Sequence, residues 1–112
     1  MKVFISQGMR GKTSEQIMSE RQELIKRLNE IITDIEVIDS FIPDGDKKDP
    51  VYCLGTSIQK LSEADIVVFA QDWYRFRGCK IEMTIAVEYK KMVLMLWNVL
   101  VFIFWGGYSV AL

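Results

Sequence analysis

Val3-Phe-Ile-Ser-Gln-Gly-Met-Arg-Gly11, followed by Lys12 and Thr13-Ser-Glu-Gln16, is the stretch from which the fold can be read. A short β-branched and aromatic run predicts a strand, and two glycines within four residues predict a turn. Thr13 and Gln16 then have the spacing of a capping box, in which the two side chains satisfy backbone N–H groups that a first helical turn leaves open. Ile17, Leu24, Ile25, Leu28, Ile31 and Ile32 recur at helical spacing, with Glu20, Glu23, Lys26, Arg27 and Glu30 on the opposite side. Strand, glycine loop and amphipathic helix make half of a βαβ unit.

The same alternation continues along the chain. Residues 35–38 read as a second strand ending at Asp39, and residues 43–50 as a loop between two prolines. Residues 51–61 can form a second helix, with Gly55 weakening it. Ala64-Asp-Ile-Val-Val-Phe-Ala70 is nearly continuous apolar sequence, as expected of a central parallel strand buried on both faces. A loop over 71–78 leads to a third helix over about 79–91, whose apolar face is expected to carry Ile81, Ile85, Ala86 and Tyr89. Residues 93–97 read as a fourth strand. Alternating strands and helices predict a doubly wound α/β domain with a parallel sheet, and ligands in such sheets bind beyond the carboxyl ends of the strands. The loops over 7–11, 39–50 and 71–78 are therefore the ones that matter.

Composition narrows the chemistry. The chain has 112 residues, a formal net charge of −1 and no histidine. That length suits one domain, and the near-zero charge leaves no electrostatic footprint for nucleic acid. Without histidine there is no Ser-His-Asp or Cys-His machinery and no histidine zinc site. Acid–base and nucleophilic work falls to carboxylates, Tyr, Lys or a thiol. Cys53 and Cys79 are too few and too far apart for a zinc or CxxC motif, so neither a metal nor a cofactor is expected. Reduced thiols and the lack of a secretory pattern at the N-terminus predict a cytoplasmic protein.

Glu82 is the first candidate for chemistry. Near the start of the third helix, with Arg77 close in sequence, it is expected to be ionised, as suits attack on an electrophilic sugar carbon. Glutamate in a first helical turn also simply stabilises the helix. Asp72, after the buried strand, can supply a proton or hydrogen bond to a leaving base, and Asp39 can hold a ribose hydroxyl. Both also suit an ordinary Asx-turn. Gly8 and Gly11 allow close backbone approach to a ligand, with Met9 and Arg10 between them and Arg10 able to grip a phosphate. Trp73, Tyr74 and Phe76 can stack on a base or cover the sheet edge.

Met1-Lys-Val-Phe-Ile-Ser-Gln-Gly-Met-Arg-Gly11, Val37-Ile-Asp-Ser-Phe41, Leu61-Ser-Glu-Ala-Asp65 and Arg77-Gly-Cys-Lys-Ile-Glu82 with Ile85-Ala-Val-Glu-Tyr89 resemble, in order, a small phage and bacterial family of unknown function. That family is similar to the nucleoside 2-deoxyribosyltransferases and the related nucleotide N-glycosidases. The resemblance spans about residues 1–91. It implies a flavodoxin-like three-layer sandwich with a parallel sheet of four to five strands in a domain over 1–97. Glu82 takes the place of the nucleophilic glutamate, within Gly-x-x-x-Glu-x-x-x-Ala. The implied activity is transfer or hydrolysis at C1′ of a deoxynucleoside or its monophosphate. Ser6, Gln7 and Gly8 would line the sugar side, and Asp72 or Trp73 the base side, beside Arg77 and Gly78. The sequence has Gly8 where the family usually has proline, and Phe76 where nucleoside transferases often carry an acid. The alternatives are a non-catalytic nucleotide-binding module of the same fold, or an interaction protein that uses its C-terminal tail.

That tail is the sharpest boundary in the chain. Every charged residue lies between Lys2 and Lys91, and residues 92–112 carry none. The run approaches the ~20 residues that cross a bilayer, but Asn98 and Gly106-Gly107 interrupt it and residues 93–97 are needed in the sheet. Residues 98–112 are expected to form an apolar strand or helix that packs on the domain or joins subunits in a homo-oligomer. A membrane anchor and an unrelated tail are the other readings.

Overall fold

The computed structural model describes all residues except 41, 43, 44, 98, 99, 107 and 112. Its strands are β1 (Lys2–Ser6), β2 (Glu36–Val37), β3 (Ile66–Phe69), β4 (Met92–Trp97), β5 (Leu100–Trp105) and β6 (Tyr108–Ala111). Its helices are α1 (Ser14–Ile31), α2 (Pro50–Leu61) and α3 (Arg77–Glu88). The sheet order is β2-β1-β3-β4-β5-β6. Pairing is parallel from β2 through β4 and antiparallel for β4–β5 and β5–β6. This is a six-stranded, mostly parallel sheet, larger than the expected four or five strands because the apolar tail adds two.

Alternation along the strands divides the core in two. Val3 and Ile5 of β1, Ile66 and Val68 of β3, and Leu94 and Leu96 of β4 cluster with Leu24 and Leu28 of α1. Phe4, Val67, Phe69 and Val93, at the intervening positions, cluster with Leu61 of α2 and Ala86 of α3. All four residues of β3 are buried, as its continuous apolar run predicted. Each large apolar side chain withdrawn from water contributes about 1.5–3 kcal/mol, so these clusters fix which face each helix covers.

Helix α1 starts as expected. Gln16 N–H donates to Thr13 Oγ1 at 3.1 Å, and Thr13 N–H donates to Gln16 Oε1 at 2.8 Å. The apolar face of α3 is only partly the expected one: Ala86 is buried and Ile85 packs against the core, but the other buried residues are Cys79 and Glu82, while Ile81 is 36% exposed and Tyr89, at the C-cap, 76% exposed. Counting apolar residues missed part of this face because one of its members is a glutamate.

The tail packs within the sheet. Val101 is buried in the α1-side cluster, Ile103 packs against that cluster, and Phe104 packs against the other. Among the described residues, no helix is long and apolar enough to cross a membrane.

Candidate active site

Strand order reverses between β1 and β3, since α1 leads outward to β2 on one side while β3 lies on the other. Ser6 pairs with Phe69, and Ala70 N–H extends the ladder by donating to Ser6 O at 3.1 Å. The segments leaving these strand ends, Gln7 onward and Gln71 onward, are thus held side by side, at the location where open α/β sheets bind ligands.

Ser6 follows Phe4 on the strand face covered by α3, and there it meets Glu82. The serine Oγ donates to Glu82 Oε1 at 2.9 Å, across 76 residues of sequence. Both residues are buried, Glu82 being only 6% exposed. Burial pushes the Glu82 carboxyl up from its ordinary 4.5 to about 7, and the Ser6 hydrogen bond offsets only part of that rise. The expectation of a carboxylate ionised by the helix terminus and Arg77 is therefore corrected. Helix α3 begins at Arg77, which places Glu82 in its second turn, and Arg77 itself is exposed. Desolvation dominates a dipole that weakens beyond the first turn. At neutral pH the group is present in both forms, as suits a general acid–base, and only its ionised form can act as a nucleophile.

Cys79 lies one helical turn earlier on α3 and is 4% exposed. Its thiol is pushed up to about 11, chiefly by burial, while a hydrogen bond with Ser6 pulls the other way and Glu82 adds to the rise. Cys79 and Cys53 are both free thiols.

Gln7 points to the α1 side of the strand. Its Nε2 donates to Ile17 O at 2.8 Å and to Glu20 Oε1 at 3.0 Å. Two acceptors fix the amide orientation, and Gln7 Oε1 is left buried without a partner. Glu20 also pairs with Lys12 at 3.0 Å, and Lys12 pairs with Asp72 Oδ2 at 2.8 Å. Burial works against the charge on Lys12, but its bonds to Asp72 and Glu20 outweigh this and raise its pKa. Asp72 Oδ1, at the other end of this chain of side chains, is likewise buried and unpartnered. Gln7 Oε1 and Asp72 Oδ1 are thus two buried acceptors whose hydrogen-bonding capacity the surrounding protein leaves unfilled.

A cleft of about 450 Å³ opens beside this network, lined by Glu20, Glu23, Arg27, Asp72, Tyr74 and Arg75 among others. Neither Ser6 nor Glu82 lines it. The ring of Phe76 covers Gly8 so closely that a Cβ at that glycine would overlap it. The close approach that Gly8 permits is thus taken by this chain's own aromatic ring.

The remaining candidates are more dispersed. Met9 and Arg10 are exposed at the turn that closes with Lys12 N–H donating to Met9 O. Asp39 is exposed, and its carbonyl accepts from Lys60 Nζ at 2.9 Å. Trp73 packs edge-on against Phe69, with ring centroids 5.7 Å apart, and borders the α3-side core, so it covers the sheet end. Gly78 lies in the first turn of α3 opposite Leu54. Among the described residues, no group of three Cys, Asp or Glu side chains is arranged to hold a metal.

No protein-family profile, curated protein or solved structure matches this chain.

Lys12, Glu20 and Cys79 are the site residues that sequence reasoning missed. Lys12 carried a faint signal, since it stands between the glycine loop and the capping box and must turn back over the strand end. Glu20 looked like one of several solvent-facing carboxylates on α1.

Proposed function

We propose that this domain is a flavodoxin-like three-layer sandwich that cleaves or transfers the N-glycosyl bond of a deoxynucleoside or deoxynucleoside monophosphate. The observation that carries the proposal is the buried Ser6–Glu82 pair beside the sheet's switch point, with a carboxyl pushed up to about 7. Buried, single carboxyls with perturbed protonation at strand-end sites are characteristic of reacting groups.

In this reading an ionised Glu82 oxygen attacks C1′ and forms a glycosyl ester, while the C1′–N bond breaks and its electron pair leaves with the base. The departing base takes its proton from a water molecule, which Asp72, ionised beside Lys12, orients by accepting a hydrogen bond, and the hydroxide left behind is consumed when C1′ is hydrolysed. Water or a second base then attacks C1′, and the Glu82 carboxylate is released. Ser6 orients the carboxylate by its hydrogen bond. Gln7 Oε1 and Asp72 Oδ1 accept hydrogen bonds from the substrate.

Incubation with a panel of deoxynucleosides and their monophosphates, with free base as the readout, tests this. Base release by the wild type and its loss in Glu82→Ala are expected. Absence of release from every substrate, or undiminished release by the variant, would refute the proposal.

A second reading is a nucleotide-binding module without turnover. It is favoured by one observation, that the open cleft is lined by Asp72 and Glu20 but not by Glu82. A nucleotide that raises the melting temperature and is recovered unchanged supports this reading over the first.

A further inference from the structure

Helix α3 and strand β1 meet as a series of rungs. Ala86 shares a core cluster with Phe4, Glu82 accepts from Ser6, and the Phe76 ring lies on Gly8. Positions 4, 6 and 8 alternate onto one side of the strand and its extension, while 76, 79, 82 and 86 share one side of the helix. The Phe76–Gly8 rung is therefore the outermost, at the carboxyl end of the strand, where ligands reach such sheets. Beneath it lie Ser6, Cys79 and Glu82, all buried.

The hold on Phe76 is of a displaceable kind. Its ring is half-buried and belongs to neither apolar cluster. Apart from Gly8, its described ring contact is the Lys12 ammonium, 5.1 Å from the ring centroid. Phe76 is also the N-cap residue of α3 with extended backbone and makes no side-chain cap. Rotation about its side-chain bonds can therefore remove the ring without breaking a helical hydrogen bond.

We propose that Phe76 is a gate over the buried Ser6–Glu82 pair: its ring must leave Gly8 before any ligand reaches the Glu82 carboxyl. Lys12, which bonds Asp72 at 2.8 Å and lies over the ring at 5.1 Å, ties the position of the gate to the Asp72 end of the polar network. This inference rests on the proposed chemistry for what the gate admits, but the gate itself does not require turnover.

Cys79 is a built-in reporter, buried under the same rung as Glu82. In a Cys53→Ser background, the rate of its modification by a small maleimide reads how often the Phe76–Gly8 rung opens. Phe76→Ala is expected to raise that rate roughly tenfold or more while the cooperative thermal transition is retained. Gly8→Ala displaces the ring from the opposite side and is expected to act in the same direction. Unchanged labelling in a folded Phe76→Ala protein overturns the gate, and so does loss of the cooperative transition in both variants, which would make Phe76 a structural wedge. Faster labelling with no base released from any substrate retains the gate and retires the glycosyl chemistry. Base release by a wild type whose Cys79 labelling is indifferent to Phe76 does the reverse.

Discussion

Glu82 is a buried carboxyl whose burial is itself destabilising once the group ionises. Its carboxyl is held up to about 7 against an ordinary 4.5, so the folded protein binds a proton there more tightly than the unfolded chain does. Between those two values the native state is protonated and the unfolded state is not, and stability must fall as pH rises. The loss attributable to this group is on the order of 3 kcal/mol by pH 8. Glu82→Gln is expected to remove that slope and to be more stable than the wild type at pH 8, as measured by urea unfolding at pH 5 and pH 8. Ser6→Ala removes the hydrogen bond that partly offsets burial, so a carbon-13 NMR titration should find the Glu82 carboxyl displaced further upward. If the ionised form is the nucleophile, kcat/KM rises with pH through the same range. The position of Glu82 was legible in the sequence, but its protonation was not. Helix dipole and a neighbouring Arg77 are local features, whereas the desolvation that dominates comes from packing against β1.

At the scale of elements, the pieces nearest the site owe their placement to local signals of unequal clarity. Thr13 and Gln16 announced the start of α1, and the structure has both reciprocal hydrogen bonds. Loss of the Thr13 side chain in Thr13→Ala should cost about 1 kcal/mol, measurable as a shift in the urea midpoint. Because α1 supplies Glu20 and the Ile17 carbonyl to Gln7, that variant also loosens one wall of the network. The buried run of β3 was readable too, since its β-branched apolar residues between a polar turn and a polar loop suit a strand covered on both sides, and all four are buried. Helix α3 was harder to read. Its inward side is Cys79, Glu82 and Ala86, with Met83 and Ile85 partly covered, and a periodicity count drawn to Ile81 and Tyr89 turned it outward. The Lys12 network had no sequence signal of comparable strength, because ion pairs between residues 12, 20 and 72 depend on the side-by-side pairing of β1 and β3. Lys12→Met would leave two partly covered carboxylates without their shared cation. It should lower stability by about 1–2 kcal/mol after allowance for solvent screening, again read from urea unfolding.

For the molecule as a whole, the loss of charge after Lys91 marks a change in topology. The parallel part of the sheet ends at β4, and the uncharged segment returns as the antiparallel pair β5 and β6. Val101, Ile103 and Phe104 place apolar groups on both sides of the sheet, which accounts for a segment with no polar alternation. Ending the chain after Trp97 would uncover the β4 edge and remove Val101 from the core. Such a chain is expected to melt lower than the full-length protein and to self-associate in size-exclusion chromatography. The parallel α/β plan was readable from strand–helix alternation. The two added strands were not, because short apolar runs leave strand and helix unresolved until a neighbouring edge is there to pair with.

In the proposed chemistry, Glu82, presented by α3 to Ser6 of β1, is the carboxylate that bonds to the sugar. The most direct measurement of that role is peptide mapping of the protein after acid quench during turnover of a deoxynucleoside or its monophosphate. A deoxyribosyl ester confined to Glu82, and absent in Glu82→Ala, is the predicted result. Turnover that leaves Glu82 unmodified while a different side chain carries the sugar would contradict it.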